Sequence, residues 1–201
     1  MSFLDSTHKE KPVDLSSLTG HVSDLLTACG EDPEREGLKR TPERYLKSMA
    51  FFTSGYQKDP QEIAKRGLFH NPVDDMIIVR NVEFYSLCEH HMVPFYGVVH
   101  VGYIPNEKII GLSKIPRIVE VFARRFQVQE RMTRQIAEAL ETALAPKGVG
   151  VVVKAYHLCM MMRGVQKQSS FTVSSSMLGC FRDLKTREEF LSHIHSPGPS
   201  V

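Results

Sequence analysis

Cys88 and His91 are separated by two residues, a spacing at which a thiolate and an imidazole can bind the same tetrahedral metal ion. A second thiol stands in Tyr156-His157-Leu158-Cys159-Met160, at the end of a β-branched run that can lie beside the first segment in a sheet. Cys88, His91 and Cys159 make three protein ligands and leave the fourth position for water, the pattern of a catalytic zinc site, and no equally placed fourth Cys or His competes. The plain alternative is a set of small buried residues beside an exposed histidine. His90 adjoins one candidate ligand and His157 lies two residues before another. An imidazole that titrates near neutral pH and is not bound to metal can take a proton from water and give one to a leaving nitrogen.

Basic residues accompany these segments. Ser113-Lys114-Ile115-Pro116-Arg117 is placed to begin a helix, whose N-terminus suits an anion, and Arg163 follows the second thiol segment. Solvated surface charge is the ordinary reading of such residues. Gln129-Glu130-Arg131 offers groups that hydrogen-bond a purine edge if buried, and are unremarkable helix residues if exposed.

The elements that must carry these residues follow from periodicity. Leu15 to Cys29 fits a helix ended by Gly30, Thr41-Pro42 starts a second, and Asp59-Pro60-Gln61-Glu62 a third with a capping-box pattern. Met76 to Tyr85, Tyr96 to Ile104, Val149 to His157 and Phe171 to Ser175 read as strands, with a short one through Ile109 and Ile110. Ser113 is expected to cap a helix on which Ile118, Val119, Phe122 and Phe126 share a face. Val128, Met132, Ile136, Leu140 and Leu144 line a second helix, and Thr186 opens a terminal one with a capping box. The expected organisation is a tail (1–13), an N-terminal helical extension (14–72), an α+β domain (73–195) and a second tail (196–201). The sheet is expected to be antiparallel and four-stranded, covered on one face by two helices, with open edges that favour self-association.

Composition limits the partners. A net charge of +2 over 201 residues is too small for a general nucleic-acid surface, and no apolar run approaches the length that spans a bilayer. No signal-peptide pattern is present, so a cytoplasmic location and reduced thiols are expected for Cys29, Cys88, Cys159 and Cys180.

Ser86-Leu87-Cys88-Glu89-His90-His91, Gly111-Leu112-Ser113-Lys114, Gln127-Val128-Gln129-Glu130-Arg131 and His157-Leu158-Cys159-Met160, in this order between Gly37 and Ile194, resemble GTP cyclohydrolase I, and the stretch from Gly150 to Phe190 most resembles its animal-type members. The resemblance implies the tunnelling fold, assembled as a decamer of two pentamers with active sites between subunits. It implies conversion of GTP to 7,8-dihydroneopterin triphosphate and formate, a first step toward tetrahydrobiopterin or folate. By the same carry-over, zinc is held by Cys88, His91 and Cys159, and water activated there adds to C8 of the purine. His157 and His90 move protons, Ser113 assists the later rearrangement, and Gln129 and Glu130 hold the guanine. Lys114, Arg117, Arg163 and Arg44 lie near the triphosphate, and a feedback regulatory protein is a further implied partner. Lys154 and Phe171 depart from the family pattern, where an acidic and a basic residue are usual, but strand alternation points Lys154 away from His157. Two readings compete: a nitrile-reducing relative with a cysteine nucleophile, which has no need of this ligand set, and a non-catalytic scaffold, whose structural metal would normally have a fourth protein ligand.

Overall fold

The computed structural model describes residues 14–198; the expected N-terminal tail and the last three residues lie outside them. After a 3-10 turn, α1 (Thr19–Ala28) ends at Gly30, whose φ of 91° suits a residue without a Cβ. Helix α2 (Thr41–Phe52) carries Pro42 in its first turn, and α3 (Pro60–Lys65) is capped by Asp59, whose carboxylate accepts from the Gln61 N–H at 2.7 Å. Ile63 and Ala64 of α3 pack into the main core. Strand β1 (Leu68–His70) then pairs with β4 (Lys108–Ile110).

The main sheet comprises β2 (Ile77–Cys88), β3 (Pro94–Ile104), β6 (Gly148–His157) and β7 (Thr172–Gly179), paired antiparallel in that order. A two-residue strand, β5 (Phe126–Gln127), adds in parallel on the far side of β2, so the expected four strands become five. Two helices cover one face. Helix α4 (Lys114–Ala123) buries Ile115, Ile118, Val119 and Phe122, and α5 (Gln129–Leu144) buries Met132, Ile136, Leu140 and Leu144. Each such side chain withdrawn from water contributes about 1.5–3 kcal/mol before entropy is counted. They meet Phe84, Phe95, Val99, Val151 and Val153 from the sheet.

The second face is not wholly open. Helix α7 (Leu184–His195) lays Phe190 and Ile194 over Val152 and Phe181, flanked by Met76, Ile78, Ile104 and Met177. Arg80 donates to the carbonyls of His193 and Ser196, so the chain just beyond α7 is tied to β2. The remainder of this face carries a row of rings across three strands that ends just before β7: Tyr85 stacks on Tyr96 at 5.8 Å, and Tyr96–Tyr156 and Tyr156–Phe171 follow at 6.0 Å each.

Between Val79 and Val82 strand β2 holds one extra residue against β3, with Asn81 at φ 55°. The Asn81 N–H donates to Nδ1 of buried His100 at 3.3 Å, which leaves the His100 proton on Nε2 without a partner among the described residues.

Three local expectations are corrected. Ser113 precedes α4 with helical φ and ψ, and its hydroxyl caps nothing; the Lys114 N–H turns back to the Gly111 carbonyl instead. Phe126 is not on α4. The backbone leaves the helix at Arg124, while the Arg125 guanidinium bonds the Val121 and Gly55 carbonyls and directs the next two residues to the edge of β2. Helix α7 starts two residues before Thr186, with Asp183 preceding it, so Thr186 lies inside the first turn.

Candidate metal and catalytic centre

Strand β2 runs through Cys88, so the first thiol sits on a strand end rather than in a loop. A tight loop follows. The Met92 N–H donates to the Cys88 carbonyl at 2.8 Å, the Cys88 N–H donates to the Val93 carbonyl at 2.9 Å, and Met92 closes the turn at φ 56°. A left-handed non-glycine residue costs about 1–2 kcal/mol, and these bonds hold it in place. The loop returns His90 and His91 over the Cys88 sulfur, with their Nδ1 atoms at 3.9 and 3.8 Å. Strand β6 ends at His157, and the short helix α6 (Leu158–Met161) begins there and presents Cys159.

The ligand atoms of Cys88, His91 and Cys159 all lie within 4.8 Å of one another. Tetrahedral coordination with ordinary metal–sulfur and metal–nitrogen lengths needs donors about 3.6–3.8 Å apart, so a small inward adjustment completes a three-residue cage. The chemistry of the donors fits as well. Burial, and then the adjacent Cys88 sulfur, push the Cys159 thiol above its ordinary range. A divalent cation reverses both penalties, because it favours thiolates. His90 is exposed and stays outside this mutual group.

His157 is held differently. Its ring stacks on buried Phe95 with centroids 4.7 Å apart and planes 2° apart, and its Nε2 lies 2.8 Å from the Gln129 amide oxygen. Burial lowers its pKa, partly offset by the charge of Glu130, so the neutral ring is favoured.

The family model for GTP cyclohydrolase I matches residues 18–195. The chain belongs to the GTP cyclohydrolase I family. Its relatives include proteins named GTP cyclohydrolase 1 from three distant sources. That of Campylobacter concisus is 56% identical over 90% of this chain and 96% of its own length. That of Saccharomyces cerevisiae is 53% identical over 94% and 78%, and that of Homo sapiens 51% over 94% and 76%.

Against that family's motifs, the structure gathers Cys88, His90, His91, His157, Cys159 and Gln129 at one end of the sheet. Ser113 and Arg117 at α4, Arg44 on α2, Arg163 beyond α6 and Glu130 on α5 are exposed, and Lys114 is half-buried, its stem against Gly67. No hydrogen bond or ion pair among the described residues ties these six to the thiol–imidazole group. Gln129 is buried, with its side chain fully engaged inside the chain.

Motif reading did not single out Glu89, Gln127 and Arg131 as a unit. Arg131 pairs with the Glu89 carboxylate and donates to Gln127 Oε1 at 3.0 Å, while Gln127 Nε2 bonds Gln135 Oε1 at 2.8 Å. The Glu89 N–H donates to the Gln127 carbonyl at 3.1 Å. The loop after Cys88 is thereby anchored to the start of α5, and Arg131 holds the Glu89 carboxyl below its usual range. The available signal was position: Glu89 lies inside the Cys88–His91 segment and Arg131 inside the Gln127–Arg131 segment.

Proposed function

We propose that this chain is a zinc-dependent GTP cyclohydrolase I that converts GTP to 7,8-dihydroneopterin triphosphate and formate. One observation carries the reading: in a member of this family, the Cys88, His91 and Cys159 donors converge within 4.8 Å, beside two further histidines. Bound zinc would supply Lewis-acid activation of water for addition to C8 of the purine. Cys88, His91 and Cys159 would hold the ion, with the Glu89–Arg131 pair fixing the loop that presents His91.

His157, neutral and clamped between Phe95 and Gln129, has the rigidity to accept and return a proton during addition and ring opening. His90, exposed beside Cys88, would face substrate in the deformylation and later rearrangement. Ser113 would hydrogen-bond the opened ribose. Glu130 would accept from the guanine edge, and Lys114, Arg117, Arg163 and Arg44 would bind the triphosphate, each by charge-assisted bonds. The pocket would be completed by a neighbouring copy in a homo-oligomer. The outer edge of β7, unpaired among the described residues, supports such pairing, and a decamer of two pentamers is the assembly implied by the resemblance. The expected compartment is the cytoplasm, and no helix among the described residues is long and apolar enough to cross a membrane. Supply of tetrahydrobiopterin or folate synthesis, with feedback control by a regulatory protein, completes the reading.

The test is to incubate the zinc-loaded protein with GTP and follow formate and an oxidisable, fluorescent pterin together. Both products are expected. Absence of both from protein with verified metal and assembly would favour a non-catalytic scaffold. Cys159→Ala is expected to lose zinc and turnover together while remaining folded, by metal analysis and circular dichroism.

A further inference from the structure

Gln129 opens α5 with its side chain 1% exposed. Its amide nitrogen shares two hydrogens among three acceptors, the Val153 carbonyl at 3.1 Å, the Thr172 carbonyl at 3.1 Å and the Ser174 hydroxyl at 3.0 Å, bridging β6 and β7. Carbonyl oxygens only accept, so the nitrogen must face them and the amide oxygen must face His157.

A second line of bonds gives the same orientation. The Thr133 hydroxyl donates its one hydrogen to the Gln129 carbonyl at 2.7 Å. In the 2.7 Å contact between Thr133 and Ser174 the hydrogen must therefore come from Ser174. Ser174, its own hydrogen spent, can only accept from Gln129. The donors run in a closed circuit from the Gln129 amide to Ser174, Thr133 and back to the Gln129 backbone, and reversing the amide would break it.

An amide oxygen is likewise only an acceptor, so at 2.8 Å His157 Nε2 must carry the hydrogen. In the neutral ring Nδ1 is then the nitrogen with the lone pair, and Nδ1 makes no hydrogen bond among the described residues. We propose that Gln129 is a positioning residue, fixing His157 as its Nε2–H tautomer and leaving Nδ1 as the nitrogen that exchanges the proton with substrate. This deepens the assignment of His157 above and rests on it.

The zinc-loaded oligomer of wild type, Gln129→Met, His157→Ala and the double variant are compared for zinc content, kcat and KM for GTP. Loss of the clamp should lower kcat by about 10- to 100-fold, part of the roughly 10²- to 10⁴-fold that a positioned acid or base contributes, with KM and zinc unchanged. Gln129→Met should add nothing in the His157→Ala background. A raised KM with kcat preserved, or effects that multiply in the double variant, overturns the proposal in favour of a substrate contact. Wild-type turnover by His157→Ala overturns this proposal together with the role of His157. An inactive His157→Ala beside an unaffected Gln129→Met overturns only the clamp. Should Gln129→Met fail to fold, nitrogen-15 imidazole spectra of the wild-type protein, with the His157 signal identified by its loss in His157→Ala, decide the matter. An unprotonated Nδ1 is expected, and a protonated Nδ1 with bare Nε2 refutes the assignment.

Discussion

Acid should weaken this fold through one residue remote from the candidate metal ligands. His100, 2% exposed on β3, accepts from the Asn81 N–H and cannot pair its other nitrogen. Its pKa falls from 6.5 to about 4, first through burial and then through the positive charges of Lys154, Arg80 and His195. The unfolded chain therefore binds a proton in the window from pH 6.5 to 4 that the folded chain refuses. Stability is complete above pH 6.5 and declines as pH falls toward 4. At about 1.36 kcal/mol per pH unit, moving from neutrality to pH 5 crosses about 1.5 units of that window and costs about 2 kcal/mol per protomer. The assay is urea unfolding at pH 7.5 and pH 5, at fixed protomer and zinc concentrations, for wild type and His100→Gln, which keeps an acceptor for Asn81. The acid loss should be smaller in the variant by about 2 kcal/mol, losses from all other groups being common to both. Equal acid losses in the two proteins would show that His100 is protonated in the fold, and the reasoning would fall.

Gly97→Ala places a Cβ 1.9 Å from the Lys154 carbonyl and 2.7 Å from the Ala155 Cα, both backbone, next to the pairing that carries His157. The urea midpoint should fall by the equivalent of about 1–3 kcal/mol, and an unchanged midpoint would contradict the register. Arg80→Ala removes the guanidinium that holds the end of α7, so amide exchange over residues 190–196 should quicken by the equivalent of about 1–2 kcal/mol; unaltered protection there would rule the contact out. Ala145 ends α5 in the left-handed region at φ 45°, so Ala145→Gly should raise stability by about 0.5–1 kcal/mol. A lowered melting temperature would argue against that geometry.

The donors Cys88 and His91 were legible because two intervening residues suffice for a strand end and one tight loop to bring both to a point. Cys159 was recognisable as a partner by type, but its placement depends on β3 lying between β2 and β6, a fact of pairing rather than spacing. Strand and helix cores were readable from alternation and helical spacing. The ends of helices were not: Ser113 and Thr186 are sound cap residues, yet a backbone turn to Gly111 and an earlier start after Asp183 decided the outcome. Phe126 continued the helical spacing of Ile118 and Phe122, and only the anchoring of Arg125 to Gly55 removed it from the helix. The Gln129 clamp joins α5 to three separate backbone or hydroxyl acceptors on β6 and β7, and no local pattern encodes that.

The extra residue in β2 acts like a frameshift in three dimensions. Ile77 and Val79 before it, and Val82, Phe84 and Cys88 after it, all pack into the same core, although they differ in being odd- and even-numbered. Pairing the full-length strand without this bulge would impose unbroken alternation and invert everything downstream. Tyr85 would enter the core, Phe84 would leave it, and the Cys88 sulfur would point away from His157's side of the sheet. The direction of a candidate metal donor at one end of the strand is thus set by a bulge in its other half, and the backbone turn at Asn81 is as much a part of the candidate centre as the identity of its ligands.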